Sequence, residues 1–293
     1  MKKYKTRGII NGIVAAVSYG TNPLFALPMY EKGLSANSVL FYRYLFAVVI
    51  FGIWLKFFKK VSLKISKKEF LSLFFIAILF ALSSITLFEA FNYIDSGIAC
   101  TILFIYPIIV AVLSVVFFGE KITKTVIFSI ILTLTGIFLL NGEGNLNIKG
   151  VTFVILSALV YAIYIVLVKN MKTIKHIKFD KLSFYVMLFG LSVFILNSNF
   201  CTELQPIEDW KVFGCAAALA LFPTIISLET INIAIRLIGP TTTAILGALE
   251  PLTALFFGVL LFGEILTFKI ILGIILILSG VILIILKNSI SNK

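Results

Sequence analysis

Four ionisable side chains stand inside long apolar runs: Arg43, Glu89, Glu229 and Glu250. A charge at the centre of such a run costs roughly 2.5–3.5 kcal/mol on insertion scales, so each needs a partner, a neutral form or a task. Arg43 lies eight residues past Ser35, and Glu89 lies six before Asp95. At about 1.5 Å per helical residue both sit about 9–12 Å from the same side. That similar depth predicts an Arg43–Glu89 pair near the outer end of a pathway; the alternatives are a purely structural pair or an Arg43 that snorkels to the interface. Glu229 precedes Arg236 by seven residues, and Glu250 is the deepest acid, ten residues after Pro240 and fourteen before Glu264. A carboxyl shielded from water is costly to charge. Glu250 therefore suits a site that exchanges a proton or takes up a cationic amine, with a neutral Glu250 bonded to a helix carbonyl as the plain alternative.

Around these groups stand residues that could shape a cavity. Tyr19 and Asn22 lie one turn apart beside Gly20 and Pro23; they could line a central cavity, though Asn22 could equally join helices. Pro23, Pro107, Pro223 and Pro251 fall mid-run. Each removes a backbone donor, so each predicts a kink that opens space, acts as a hinge or merely serves packing. Gly8-x-x-x-Gly12 and the small run Gly214 to Ala218 predict close helix packing.

Other chemistries lack their residues. The sequence has no Gly-x-x-x-x-Gly-Lys-Ser/Thr loop to cradle phosphates and no His-Glu-x-x-His; its single histidine, His176, sits in a basic loop. No His/Cys cluster has metal spacing. Cys100 and Cys215 lie in apolar runs and Cys201 in a loop, so no disulfide framework arises. The expectation is a non-enzyme without metal or cofactor.

The elements that position these residues must be membrane-spanning. Of 293 residues 60% are hydrophobic and only 13% charged, too few to coat a soluble domain of this size, and the runs reach the length that crosses a bilayer. The expected architecture is an all-α polytopic membrane protein with ten transmembrane helices: 8–30, 35–57, 69–93, 96–118 and 122–140, then 149–169, 181–199, 210–236, 241–262 and 267–286. The basic-then-apolar start reads as a retained signal-anchor helix. The net charge of +12 is spread in short clusters between runs (Lys2 to Arg7, Lys56 to Lys68, Lys169 to Lys181), which argues against nucleic acid as a partner. With both termini cytoplasmic, inner loops and tails hold 20 Lys/Arg and outer loops 4, as the positive-inside rule requires. The expected location is the inner membrane.

The chain repeats itself. Residues 88–140 align without a gap on 232–284 at an offset of 144: Pro107 falls on Pro251, Phe118-Gly119-Glu120 on Phe262-Gly263-Glu264, Thr123 on Thr267 and Gly136 on Gly280. Tyr106 falls on Glu250, and Ala15 to Tyr19 loosely matches Ser157 to Tyr161. The Gly-Glu turns read as structural, capping the next helix. The repeats are 1–145 and 146–293 with five spans each, an odd number, so the second half is inverted relative to the first. Inverted repeats mark secondary transporters that bind substrate near the midplane.

In this setting the sequence resembles the EamA branch of the drug/metabolite transporter superfamily over nearly its whole length. The resemblance is carried by Phe41-Tyr42-Arg43-Tyr44, Ala90-Phe91-Asn92-Tyr93-Ile94, Tyr106-Pro107 with Gly119-Glu120-Lys121-Ile122-Thr123, and in the second copy Ala234 to Gly239, Leu249-Glu250-Pro251 and Gly263-Glu264. It implies ten helices in inverted five-helix repeats and transport of small metabolites, often amino acids or related compounds, frequently as export. The substrate-binding and coupling candidates are Tyr19, Asn22, Arg43, Glu89, Tyr93, Tyr106, Glu229 and Glu250. The expected partners are a small-molecule substrate, the lipid bilayer and protons, with the chain a monomer or weak homo-oligomer. A multidrug or toxic-compound exporter is the runner-up, and a non-transporting scaffold or sensor the third reading.

Overall fold

Runs this apolar leave a chain in lipid only one local solution, because each backbone N–H and C=O must find its partner within the segment. The computed structural model describes residues 2–90, 92–94, 99, 102–140, 147–262 and 267–290, and every regular element among them is a helix, without strands. The helices are α1 (Lys2–Gly20), α2 (Asn22–Glu31), α3 (Ala36–Ile53, continued by a π-helical turn Trp54–Phe58), α4 (Lys67–Ala90), α5 (Tyr106–Phe118), α6 (Lys124–Leu140) and α7 (Ile148–Asn170). The short α8 (Lys172–Lys175) precedes α9 (Phe179–Asn197) and α10 (Trp210–Ala220), which runs through a π-helical turn (Leu221–Ile226) into α11 (Ser227–Ile238). Then come α12 (Pro240–Leu246), α13 (Leu249–Phe262) and α14 (Phe268–Ile290).

Eight of the resulting stretches are long and apolar enough to cross a membrane, among the described residues. Where the fourth and fifth spans were expected stand α5 and α6, of 13 and 17 residues. Phe91, Asp95, Cys100, Glu143, Gly263 and Glu264 lie outside the described residues.

The packing crosses between the two halves of the sequence. Helix α1 lies along α11 and α13, and α4 along α7 and α9; α3 packs on both α9 and α10, and α6 lies along α14. Glycine sets the tightest of these approaches. A Cβ on Gly136 would sit 2.6 Å from the Gly273 carbonyl oxygen, and one on Gly280 would sit 2.8 Å from that of Ser129. The two glycines that match across the repeat are thus the two notches by which α6 and α14 meet. Gly8 abuts Leu237 and Ile238, and Gly12 abuts Leu246, as close packing of Gly8-x-x-x-Gly12 requires. Gly214 differs: nothing lies within 4 Å of its would-be Cβ, and the small run packs through the buried Ala216 instead.

Candidate functional site

Each mid-span proline sits at or beside a break in its helix. Pro23 opens α2, and at Thr21 the hydroxyl turns back on the Ser18 carbonyl at 2.7 Å. Pro107 stands in the first turn of α5, and Pro251, its repeat partner, in the first turn of α13, past the break at Gly247–Ala248. Pro223 lies inside the π-turn and leaves the Leu219 carbonyl without its helical donor, and the Thr224 hydroxyl supplies one at 2.8 Å. The same turn directs the Ser227 N–H to the carbonyls of Phe222 and Thr224. The Pro223 carbonyl is thereby free of its usual i+4 donor.

Arg43 takes that place. Its side chain is only 4% exposed; Nη2 donates to the Pro223 carbonyl at 2.8 Å, Nε to Thr224 Oγ1 at 2.5 Å and Nη1 to Asn22 Oδ1 at 3.3 Å. The guanidinium also lies over the Tyr19 ring, 5.5 Å from its centroid. A planar fork with five donors suits two non-parallel acceptors and an aromatic face at once. The expected Arg43–Glu89 pair does not form: every nitrogen of Arg43 is engaged elsewhere, while the Glu89 carboxylate accepts from Asn92 Nδ2 at 3.3 Å. Equal depth had suggested the pair, but a shared depth does not fix which way two helices face.

A second freed carbonyl is treated in the same way. The break between α12 and α13 sends the Ala248 N–H to Ile245, and the Tyr106 hydroxyl donates to Ala244 O at 3.0 Å. Tyr106 meets Tyr161 edge-on, 5.1 Å between ring centroids, and Tyr161 stacks on Tyr164 at 6.2 Å. Glu250 is within electrostatic reach of both Tyr106 and Tyr161. Its backbone is held close to α1, since a Cβ on Gly20 would sit 2.5 Å from its carbonyl oxygen. Among the described residues the Glu250 carboxyl has neither a hydrogen bond nor an ion pair. Between Arg43 and these tyrosines lies a cavity of ≈ 10 Å³ lined by Tyr19, Arg43, Phe80, Tyr161, Pro223, Thr224, Ser227, Leu228 and Ile231. That is room for about one water, against about 300–1,000 Å³ for a small-molecule site.

Both ends of the bundle are fastened. At the lysine-rich end Lys59 Nζ reaches Asp180 at 2.6 Å and Glu229 at 3.2 Å, joining the end of α3 to α9 and α11. Arg236 donates to the Ile174 carbonyl at 2.8 Å and to that of Ile177, and lies over the Phe179 ring. Glu120 accepts from the Thr241 hydroxyl of α12 at 3.3 Å, which fastens its turn to the other half of the chain. At the opposite end Gln205 Oε1 accepts from Ser35 N–H at 2.7 Å and Ser38 Oγ at 2.9 Å, and Lys32 pairs with Asp209 at 3.3 Å.

Of the residues singled out from sequence, Tyr19, Asn22, Arg43, Tyr106 and Glu250 come together at the broken helices. Glu229 is held in the Lys59 cluster, and Tyr93 stacks on Phe153 at 5.9 Å, against the start of α7. Sequence reasoning passed over Tyr161, Thr224, Ser227 and the fully buried chain in which Tyr164 donates to Asn232 Oδ1 at 2.7 Å and Asn232 Nδ2 to Ser183 Oγ at 3.1 Å. Tyr161 did leave a signal, as the loose repeat partner of Tyr19. Among the described residues no group of His, Cys, Asp and Glu could hold a metal ion.

Crossing apolar helices, proline breaks at mid-span and buried polar groups gathered on those breaks are the marks of a multi-pass membrane protein. The model of the EamA-like transporter family matches residues 6–142 and again 148–286, and the chain belongs to that family. It is 24% identical over 277 residues to the uncharacterized transporter YcbK of Bacillus subtilis (strain 168), covering 88% of this chain and 86% of the relative. It is 30% identical over 208 residues to the uncharacterized transporter sll1319 of Synechocystis sp., covering 68% of this chain and 61% of the relative. A solved crystal structure superposes with a TM-score of 0.82 over 96% of this chain and 98% of the other, at 16% identity, a likeness of fold.

Proposed function

We propose that the protein is a secondary transporter that moves small organic metabolites, amino acids or related amines, outward across the cell membrane by alternating access. In this reading ten spans form two inverted repeats, 1–145 and 146–293, with both termini cytoplasmic and the substrate held at the junction of the broken helices. The observation that carries it is the Glu250 carboxyl. It has no protein partner in the described structure and stands by Tyr106 and Tyr161, whereas the buried cation, Arg43, is spent on protein acceptors. A free carboxyl among aromatic faces favours a solute that presents an ammonium group, by charge and by cation–π contact. The same carboxyl can exchange a proton in the opposite half of the cycle, which couples export to the proton gradient.

The test uses purified protein in proteoliposomes that enclose a pH-sensitive dye, challenged with amino acids, amines and nucleosides, with Glu250→Gln alongside. Solute-dependent proton movement that vanishes in the variant supports the reading. Flux without proton movement makes the protein a facilitator, and no flux from folded protein across the panel sinks the transport reading.

A further inference from the structure

The loop from α3 to α4 holds Lys59, Lys60 and Lys64, and α4 opens on Lys67 and Lys68. Lys59 is committed to Asp180 and Glu229, but none of the other four ammonium groups has an acidic partner among the described residues. The loop is strapped to α9: the Tyr185 hydroxyl donates to the Leu63 carbonyl at 2.5 Å, and Lys181 donates to that of Lys64. It enters α4 through a capping box, Ser66 N–H to Glu69 Oε2 at 2.7 Å and Glu69 N–H to Ser66 Oγ at 3.2 Å. The nearest carboxylate is thus occupied by the backbone. Lys67 and Lys68 stand at the positive end of the α4 dipole, a placement that works against the isolated helix.

Beside this cap is an open groove of ≈ 410 Å³ lined by Ile65, Ser66, Lys67, Phe70 and Leu71. One and two turns after Lys67 on the same face come Leu71 and Phe75, exposed by 67% and 49%. Positive charge therefore sits directly above an apolar stripe that faces the bilayer. We propose that this groove binds an anionic phospholipid, its phosphodiester at Lys67 within the field of Lys64 and Lys68, its acyl chain along Leu71 and Phe75. A zwitterionic lipid presents a phosphate too, but its own cationic group meets the same lysines, so charge selects the anionic headgroup.

The experiment is native mass spectrometry and thermal melting of delipidated protein in neutral detergent. It is titrated with dioleoyl-phosphatidylglycerol, dioleoyl-phosphatidylcholine or glycerol 3-phosphate. One saturable phosphatidylglycerol adduct that raises the melting temperature is expected, with no matching effect of the other two. Each lysine near a lipid surface contributes about a fivefold factor in affinity. Lys67→Gln thus weakens binding about fivefold, and the Lys64→Gln/Lys67→Gln/Lys68→Gln protein about a hundredfold. Lys172→Gln/Lys175→Gln, on the other loop of the same end, leaves it unchanged. Equal binding of phosphatidylcholine, equal binding of glycerol 3-phosphate, or an equal loss in the control variant would overturn the assignment.

Discussion

Arg43 donates to the carbonyl of Pro223 at 2.8 Å, so a cation from the first half of the chain completes a helix that proline has opened in the second. Tyr106 and Ala244 repeat the relationship at the other break. The broken helices are thus held by side chains from across the molecule, and any separation of these helices would break those bonds.

Arg43→Lys should therefore destabilise the protein. A lysine reaches one acceptor and leaves the Pro223 carbonyl or Thr224 unsatisfied, at a cost of about 1–3 kcal/mol for a buried group. Unfolding in mixed micelles by sodium dodecyl sulfate measures it; a variant as stable as the parent would mean that water replaces the guanidinium.

Tyr161→Phe and Tyr19→Phe should impair transport alike, since both line the same cavity. Loss of one hydrogen bond worth about 0.5–1.5 kcal/mol raises the half-saturating solute concentration about 2- to 12-fold. Tyr93→Phe, which keeps its ring stack on Phe153, should match wild type. Flux measured over a range of solute concentrations separates the three.

The Lys59 lock should control access from the lysine-rich end. Partial burial works to lower the Lys59 pKa, but hydrogen bonds and charge from Asp180 and Glu229 outweigh it and hold the ammonium above its ordinary 10.5. A raised lysine pKa means that the interaction is complete below the ordinary value and fades only as pH climbs through the raised one. In a background without native cysteines, maleimide labelling of Ile231→Cys from that side should then stay level from about pH 8 to about pH 9, once corrected for reagent reactivity. Lys59→Gln should speed it at every pH.

At the opposite end Gln205→Ala removes the acceptor for Ser35 N–H and Ser38 Oγ. In a Cys100→Ser/Cys201→Ser background the half-buried Cys215 on α10 should then react faster with a thiol reagent applied from that side. An unchanged rate would show that Lys32–Asp209 and the backbone bonds of residue 205 to Tyr42 and Ser38 suffice to hold this end.

Much of the fold was legible because lipid forces apolar runs into helices and because the repeat left matched prolines and glycines. Arg43 and Glu250 were conspicuous for the same reason: a charge in such a run stands out. The partner of Arg43 was not legible. The acceptor it uses is a backbone carbonyl released by a π-turn, and no residue type marks a released carbonyl. The surroundings of Glu229 were hidden for a related reason: depth along a helix was readable, but its approach to Lys59 depends on packing between distant segments. The Ser66–Glu69 capping box was plain in the sequence and passed over, since local pattern had been read only for span length.

The notches at Gly136 and Gly280 bear on the order of synthesis. Helix α6 emerges from the ribosome well before α14, and until α14 arrives the groove at Gly136 faces lipid with its complement missing. The first half is therefore an unfinished object in the membrane for the whole time the second is being made. A translation stall before α14 would leave the notch at Gly136 without the helix that fills it.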